Sequence, residues 1–326
     1  MRALILEQFG QPLRFTDVPT PVPGPGQVLV RVGASGVNPL DLKIKAGAAG
    51  HAKTVLPAIL GLDMAGTVES VGAGVTAFRA GDEVYGLTGG VGGVQGSLAE
   101  YAAVDAALLA HKPRRLTMRQ AAAVPLGFIT AWEGLVDRAR VQSGEQVLIH
   151  AGAGGVGHMA VQLAVAYGAE VYATVSAGKR TLVESYGAKP IDYHVETVEQ
   201  YVGRCTAGQG FDVVYDTVGG RTLDDSFLAV KTYTGRVVSC LGWGTHALAP
   251  LSFRSATYSG VFTLMPLLTG NGRAHHGAIL REAARLADEG KLTPLLDPTE
   301  FPLAEVEAAH QMAASGNARG KVVITI

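Results

Sequence analysis

Cysteine is nearly absent: Cys205 and Cys240 are the only two in 326 residues. That excludes a disulfide framework, and a cytoplasmic protein with reduced thiols is the simplest expectation. Aromatic residues are scarce at 6%, so a core has to be built mainly from Val, Leu, Ala and Ile. Long apolar runs are missing too, and none approaches the roughly 20 residues that cross a bilayer. The first residues, Met1-Arg2-Ala3-Leu4-Ile5-Leu6-Glu7, reach a charge too soon for a signal-peptide core. Charge of one sign is equally lacking. The formal net charge is −1 and no block of like charges occurs, so neither nucleic acid nor an anionic membrane surface is an expected partner.

What is present is apolar sequence, 48% of the chain, punctuated by 43 glycines. At this length two domains fit, each able to bury a core. The first third reads as short strands between Gly and Pro turns. Gln27-Val28-Leu29-Val30-Arg31-Val32 follows the turn segment Pro21 to Gly26. Gly66 to Val71 and Glu83 to Leu87 repeat the pattern ahead of a Gly-rich loop at Gly89–Gly96. This predicts a β-barrel-like first domain. The pattern changes near Thr117, an N-cap candidate before good helix formers. Strands at 146–150, 170–175, 213–215 and 236–240 then alternate with helical segments, one of them Val156 to Tyr167. Such alternation predicts a parallel sheet covered by helices, an α/β doubly wound fold. The last residues, Lys321 to Ile326, are β-like again and are expected to pair back into the first domain. Tyr258 to Met265 reads as the last strand of the parallel sheet, at its edge. The expected division is 1–120 with 265–326, and 121–264 between them.

Gly152-Ala153-Gly154-Gly155-Val156-Gly157 fits G-x-G-x-x-G between a strand and a helix, the context the motif requires. Gly152 suits the tight turn, Gly154 close approach to a pyrophosphate, and Gly157 close helix packing, with the helix N-terminus facing the anion. The next strand ends at Val175-Ser176 with no Asp or Glu at its tip, and Lys179 and Arg180 follow. A missing acid with two cations points to NADPH, whose 2′-phosphate those residues can hold. The plainer reading, that Lys179 and Arg180 only begin a solvated helix, stands beside it.

Several further segments carry a family resemblance over nearly the whole chain: Pro23 to Val30, Gly36-Val37-Asn38-Pro39-Leu40-Asp41, Gly61-Leu62-Asp63-Met64-Ala65-Gly66, Gly81-Asp82-Glu83-Val84, Gly96 to Tyr101, Ala153 to Gly157 and Asp216-Thr217-Val218-Gly219-Gly220. Taken in this order, they resemble the medium-chain dehydrogenase/reductase superfamily, in its quinone oxidoreductase branch. The resemblance implies a GroES-like catalytic domain, a Rossmann NADP-binding domain, a cofactor cleft and a homodimer. Zinc-dependent members of the superfamily carry Cys where this chain has Asn38, and His-Glu where it has Leu62-Asp63. Their third ligand position falls near Leu126. Leucine cannot ligate zinc, asparagine is a poor substitute for thiolate, and two distant cysteines supply no second site. No metal is therefore expected.

Without a Lewis acid to hold an alkoxide, the feasible reaction is hydride delivery to an acceptor that stabilises its own anion, such as a quinone or a conjugated carbonyl. The resemblance places Asn38, Asp41 and Thr130 at the catalytic site, with Asn38 a candidate donor to an oxyanion and Asp41 a brace for a Pro-containing loop. It extends the cofactor contacts from Gly152, Gly154, Gly155, Val156, Gly157, Ser176, Lys179 and Arg180 to Tyr193, Cys240 and Lys321. Lys43 stands where many relatives have Tyr, and Lys43 and Lys45 read as exposed helix residues. Two alternatives share the fold: a 2-alkenal or enoyl double-bond reductase, and a non-catalytic NADPH-binding protein.

Overall fold

A computed structural model describes residues 1–326. The chain forms two units, Met1–Leu126 with Leu264–Ile326, and Gly127–Thr263.

The first unit is built on antiparallel strands. Gln27–Gly36 is its spine and has β-branched or small residues at most positions. It pairs antiparallel with Asp63–Val71, with Tyr101–Asp105 and with Val323–Thr325. Asp63–Val71 continues to Glu83–Leu87 and then to Leu109–His111. Register shifts at Leu29/Val30 and Val32/Ala34 bend the spine against Asp63–Val71, as bulges do. Val28, Val30, Val32, Met64, Val68, Phe78, Val84 and Leu109 fill the interior. Burial of each such side chain contributes roughly 1.5–3 kcal/mol. The expected return of the chain end is present: Val323 lies opposite Gly36.

The second unit has one six-stranded parallel sheet. In spatial order its strands are Lys189–Asp192, Glu170–Val175, Gln146–Ile149, Val213–Asp216, Arg236–Ser239 and Thr257–Gly260. Chain order reverses between Gln146–Ile149 and Val213–Asp216, which makes a switch point where ligands bind in such sheets. Leu148, Val214, Tyr172, Phe211, Phe227 and Val237 pack into one core. Helix Gly157–Ala166 is buried over most of its length, and its two polar side chains are hydrogen-bonded, His158 to the Gly154 carbonyl and Gln162 to the His158 carbonyl.

Two expectations change. The edge strand is Thr257–Gly260, shorter than the 258–265 run. Pro266 sits in the first turn of helix Met265–Thr269 and the chain turns ahead of it, so the apolar run ends in a helix. Asn38 and Asp41 lie at the start of helix Pro39–Lys45, not in a loop. Asn at the N-cap, Pro at the first position and Asp at the third are a helix-start pattern.

Candidate active site

In the first unit, three residues far apart in sequence meet below the start of helix Pro39–Lys45. Lys321 Nζ donates to Asn38 Oδ1, and it donates to Asp63 Oδ2 at 3.1 Å. Asn38 Nδ2 donates to Asp63 Oδ2 at 3.0 Å and to the Gly36 carbonyl at 3.3 Å. Asp63 Oδ1 accepts the Leu126 N–H at 2.8 Å. Asn38 and Asp63 are buried. Asp63 opens the strand that pairs with Gly36, and Lys321 immediately precedes the chain's final pairing with that same strand end. Sheet register therefore brings the three together.

Asp41 accepts the Asn38 N–H at 2.8 Å. Its other oxygen is buried with no hydrogen-bond partner. Burial pushes the carboxyl up to about 7, with the nearby Asp63 charge adding to the effect and the Asn38 N–H opposing it. Lys43 is exposed as read, but Lys45 is not free: it pairs with Glu307 on helix Val306–Ala314.

The zinc of zinc-dependent relatives does not fit this donor set. Asn38, Leu62 and Leu126 supply neither thiolate nor imidazole, and the Lys321 ammonium already neutralises Asp63. A cation placed beside that ammonium would meet a like charge.

In the second unit, the Gly-rich turn follows Gln146–Ile149 and opens helix Gly157–Ala166. A methyl group on Gly157 would lie 2.0 Å from the Ala151 carbonyl oxygen, so this glycine is required by packing. A methyl on Gly155 would meet nothing within 4 Å. The N–H groups of Gly155 and Val156 have no protein acceptor. An open face with free amides at a helix start suits a pyrophosphate. One detail differs from expectation: the left-handed residue of the turn is Ala151 (φ 52), while Gly152 makes room for Ala173.

Beside this turn, a cavity of about 770 Å³ lies at the carboxyl ends of the parallel strands, lined in part by His150, Thr174, Tyr193, Val218 and Arg221. His150 Nδ1 lies 3.2 Å from Thr174 Oγ1, and burial lowers this imidazole to about 4, so it is neutral at neutral pH. Asp216 accepts the Val218 and Gly219 N–H groups and the Ser239 hydroxyl, fixing the turn that forms one wall. Of the expected cofactor residues outside the glycine turn, Tyr193 lines this cavity. Ser176, Lys179 and Arg180 do not. They follow the end of Glu170–Val175, where Ser176 precedes a short turn and Arg180 begins helix Arg180–Ser185. Cys240 is half-buried, and burial pushes its thiol up to about 12, which leaves it a packing residue. Thr130 Oγ1 lies 3.0 Å from Thr263 Oγ1, and the Thr130 carbonyl accepts the Tyr215 hydroxyl at 2.7 Å. Sequence reading missed His150, Thr174 and Asp216. Their signal is position, since each lies at the carboxyl end of a strand of the parallel sheet.

Comparison with known proteins fits this geometry. Residues 24–114 match the alcohol dehydrogenase GroES-like domain, and residues 186–324 match the model described as zinc-binding dehydrogenase. Quinone oxidoreductase from Homo sapiens is 30% identical over 338 residues, covering 100% of this chain and 98% of that protein. The chain belongs to the medium-chain dehydrogenase/reductase superfamily, in its quinone oxidoreductase branch. It is an oxidoreductase of the GroES-like plus Rossmann architecture, a family that uses a nicotinamide cofactor. A chloroplastic NADPH-dependent alkenal/one oxidoreductase from Arabidopsis thaliana is 37% identical over 306 residues, 91% of this chain and 72% of that protein. Among solved structures, an alcohol dehydrogenase superfamily protein from Novosphingobium aromaticivorans is 57% identical with a TM-score of 0.98, over 100% of this chain and 99% of that one. No helix of the chain is long and apolar enough to cross a membrane.

Proposed function

We infer that this oxidoreductase uses NADPH to reduce quinones or enones and works without zinc. The observation that carries this reading is the Lys321–Asp63–Asn38 cluster, a hydrogen-bonded ammonium among the positions where zinc-dependent relatives bind metal. The family branch and the relatives named for quinones and alkenals or enones support the substrate class.

Several features support NADPH. No carboxylate stands at the end of Glu170–Val175, while Ser176, Lys179 and Arg180 do. Neither cation is paired with a protein carboxylate, so both are available to a 2′-phosphate. Gly154, Gly155, Val156 and Gly157 would cradle the pyrophosphate, and Tyr193 and His150 would flank the adenosine half. When bound, the reduced cofactor supplies a hydride. The protein's own contribution is on the substrate side: Asn38 and Asp41 fix the local frame, and Thr130, with Cys240 as a small packing residue, stands on the nicotinamide side. The chain is expected to work as a cytoplasmic homodimer.

The test is NADPH consumption with a benzoquinone, an alkenal and an enone, run on protein dialysed against a strong chelator. Undiminished turnover of at least one acceptor is expected. Loss of all turnover on chelation, restored by zinc, would contradict the reading.

A further inference from the structure

We propose that the Lys321 ammonium is the catalytic donor to the acceptor's oxygen, taking the place that a Lewis acid holds in zinc-dependent relatives. The proposal rests on the reading of this chain as a reductase of conjugated carbonyls, and deepens it by naming the group that holds the developing charge.

Accounting for donors in the cluster singles out Lys321. Both Asn38 amide hydrogens are taken, one by Asp63 and one by the Gly36 carbonyl. Asp63 is accepting on both oxygens, from Leu126, Asn38 and Lys321. An ammonium has three N–H bonds. Lys321 commits two, to Asn38 Oδ1 and Asp63 Oδ2, and the third has no protein acceptor. Exposure agrees: the Lys321 side chain is 11% accessible while that of Asp63 is 0%. Of the two charged partners, only Lys321 keeps any accessible side-chain surface.

The backbone holds Lys321 in place. Its N–H donates to the Leu295 carbonyl at 2.7 Å, and its carbonyl accepts the Asp297 N–H at 3.0 Å. One residue later the Val322 carbonyl accepts the Val37 N–H at 2.9 Å, tying the segment to the residue before Asn38. Asp63 pairs with the ammonium in this buried setting, and Asn38 orients it. Such a donor is arranged before the substrate arrives, the condition under which electrostatic stabilisation of a transition state is strongest.

In the proposed step, the reduced cofactor, when bound, would supply a hydride; its two electrons would form a C–H bond at the β-carbon of an enone. The carbon–carbon π pair shifts to the Cα–carbonyl bond, and the carbonyl π pair moves onto oxygen. The nicotinamide is oxidised and the enone reduced. The enolate oxygen accepts the third Lys321 N–H, and water supplies the proton at Cα. Lys321 ends the step as it began, protonated. A quinone places the same charge on a phenolate oxygen.

The experiment uses p-nitrophenol as a probe of a bound oxyanion, with NADP⁺-loaded protein, reading the phenolate absorbance against pH. Wild type is expected to bind phenolate at least about tenfold more tightly than the phenol. Lys321→Met should abolish that preference, and Lys321→Arg should keep most of it. Because Lys321→Met leaves Asp63 unpaired, the double variant Lys321→Met with Asp63→Asn removes both charges and repeats the measurement in a protein without that imbalance. In turnover, the methionine variants should lose about a hundredfold in kcat for an enone, with the KM for NADPH unchanged. Equal phenolate preference in wild type and both methionine variants, or no phenolate binding by wild type, overturns the proposal. So does a rise in the KM for NADPH with kcat intact, which would make Lys321 a cofactor contact. Wild type that binds phenolate through Lys321 but reduces no quinone or enone would instead overturn the substrate reading.

Discussion

Asp41 shows how a single side chain can couple the site to pH. The folded protein holds its proton up to about pH 7, whereas an ordinary Asp releases it near 3.8. A group whose folded value is raised contributes stability that is complete below 3.8 and is lost as pH rises through about 7. Asp41→Asn keeps an oxygen that can accept the Asn38 N–H but cannot ionise. Its melting temperature should therefore fall less between pH 5 and pH 8 than that of wild type, and parallel curves would refute the assignment. Lys179 and Arg180 make the second prediction at this scale. Replacing both with Ala should raise the KM for NADPH about tenfold or more, the loss of one or two charge-assisted bonds, and leave NADH nearly untouched. Equal effects on both cofactors would remove the basis for NADPH preference. The residue types at the metal positions of zinc-dependent relatives, Asn38, Leu62 and Leu126, are legible in the sequence. The cluster around them is not, because Lys321 and Asp63 are separated by 258 residues and only the sheet register joins them.

At the scale of elements, the glycine turn separates packing from binding. Gly155→Ala adds a methyl to open space, so the melting temperature should stay near wild type while NADPH affinity drops. Gly157→Ala drives a methyl to 2.0 Å from the Ala151 carbonyl oxygen, and should destabilise the fold by about 1–3 kcal/mol with or without cofactor. Thermal melts of both variants, each with and without NADPH, distinguish the two roles. The strand–turn–helix context of this motif was readable because adjacent residues build it. Two local patterns read less well. Asn38-Pro39-Leu40-Asp41 reads as a loop, although the same residues make a helix start. The run from Tyr258 to Met265 reads as one strand because apolar content alone does not separate strand from helix, and Pro266 is the signal that does.

Across the whole molecule, the edge strand Thr257–Gly260 carries the expectation of a homodimer. It pairs on one side with Arg236–Ser239 and leaves its other edge unpaired. An open edge is an aggregation hazard that two-fold pairing would remove. Light scattering at micromolar concentration should give twice the chain mass, and Ser259→Pro, which takes an N–H from the strand, should shift the population toward monomer. A wild-type monomer would refute this. The alternation of strands and helices and the β-like chain end were legible, since each depends on patterns within one segment. The measurement that bears most directly on the account compares two reactions of chelator-treated protein: reduction of a quinone by NADPH and oxidation of a simple alcohol by NADP⁺. A site with an ammonium in place of a metal should favour quinone reduction in kcat/KM by at least about tenfold, a barrier difference of only about 1.4 kcal/mol. Alcohol oxidation faster than quinone reduction, in the same protein, would contradict it.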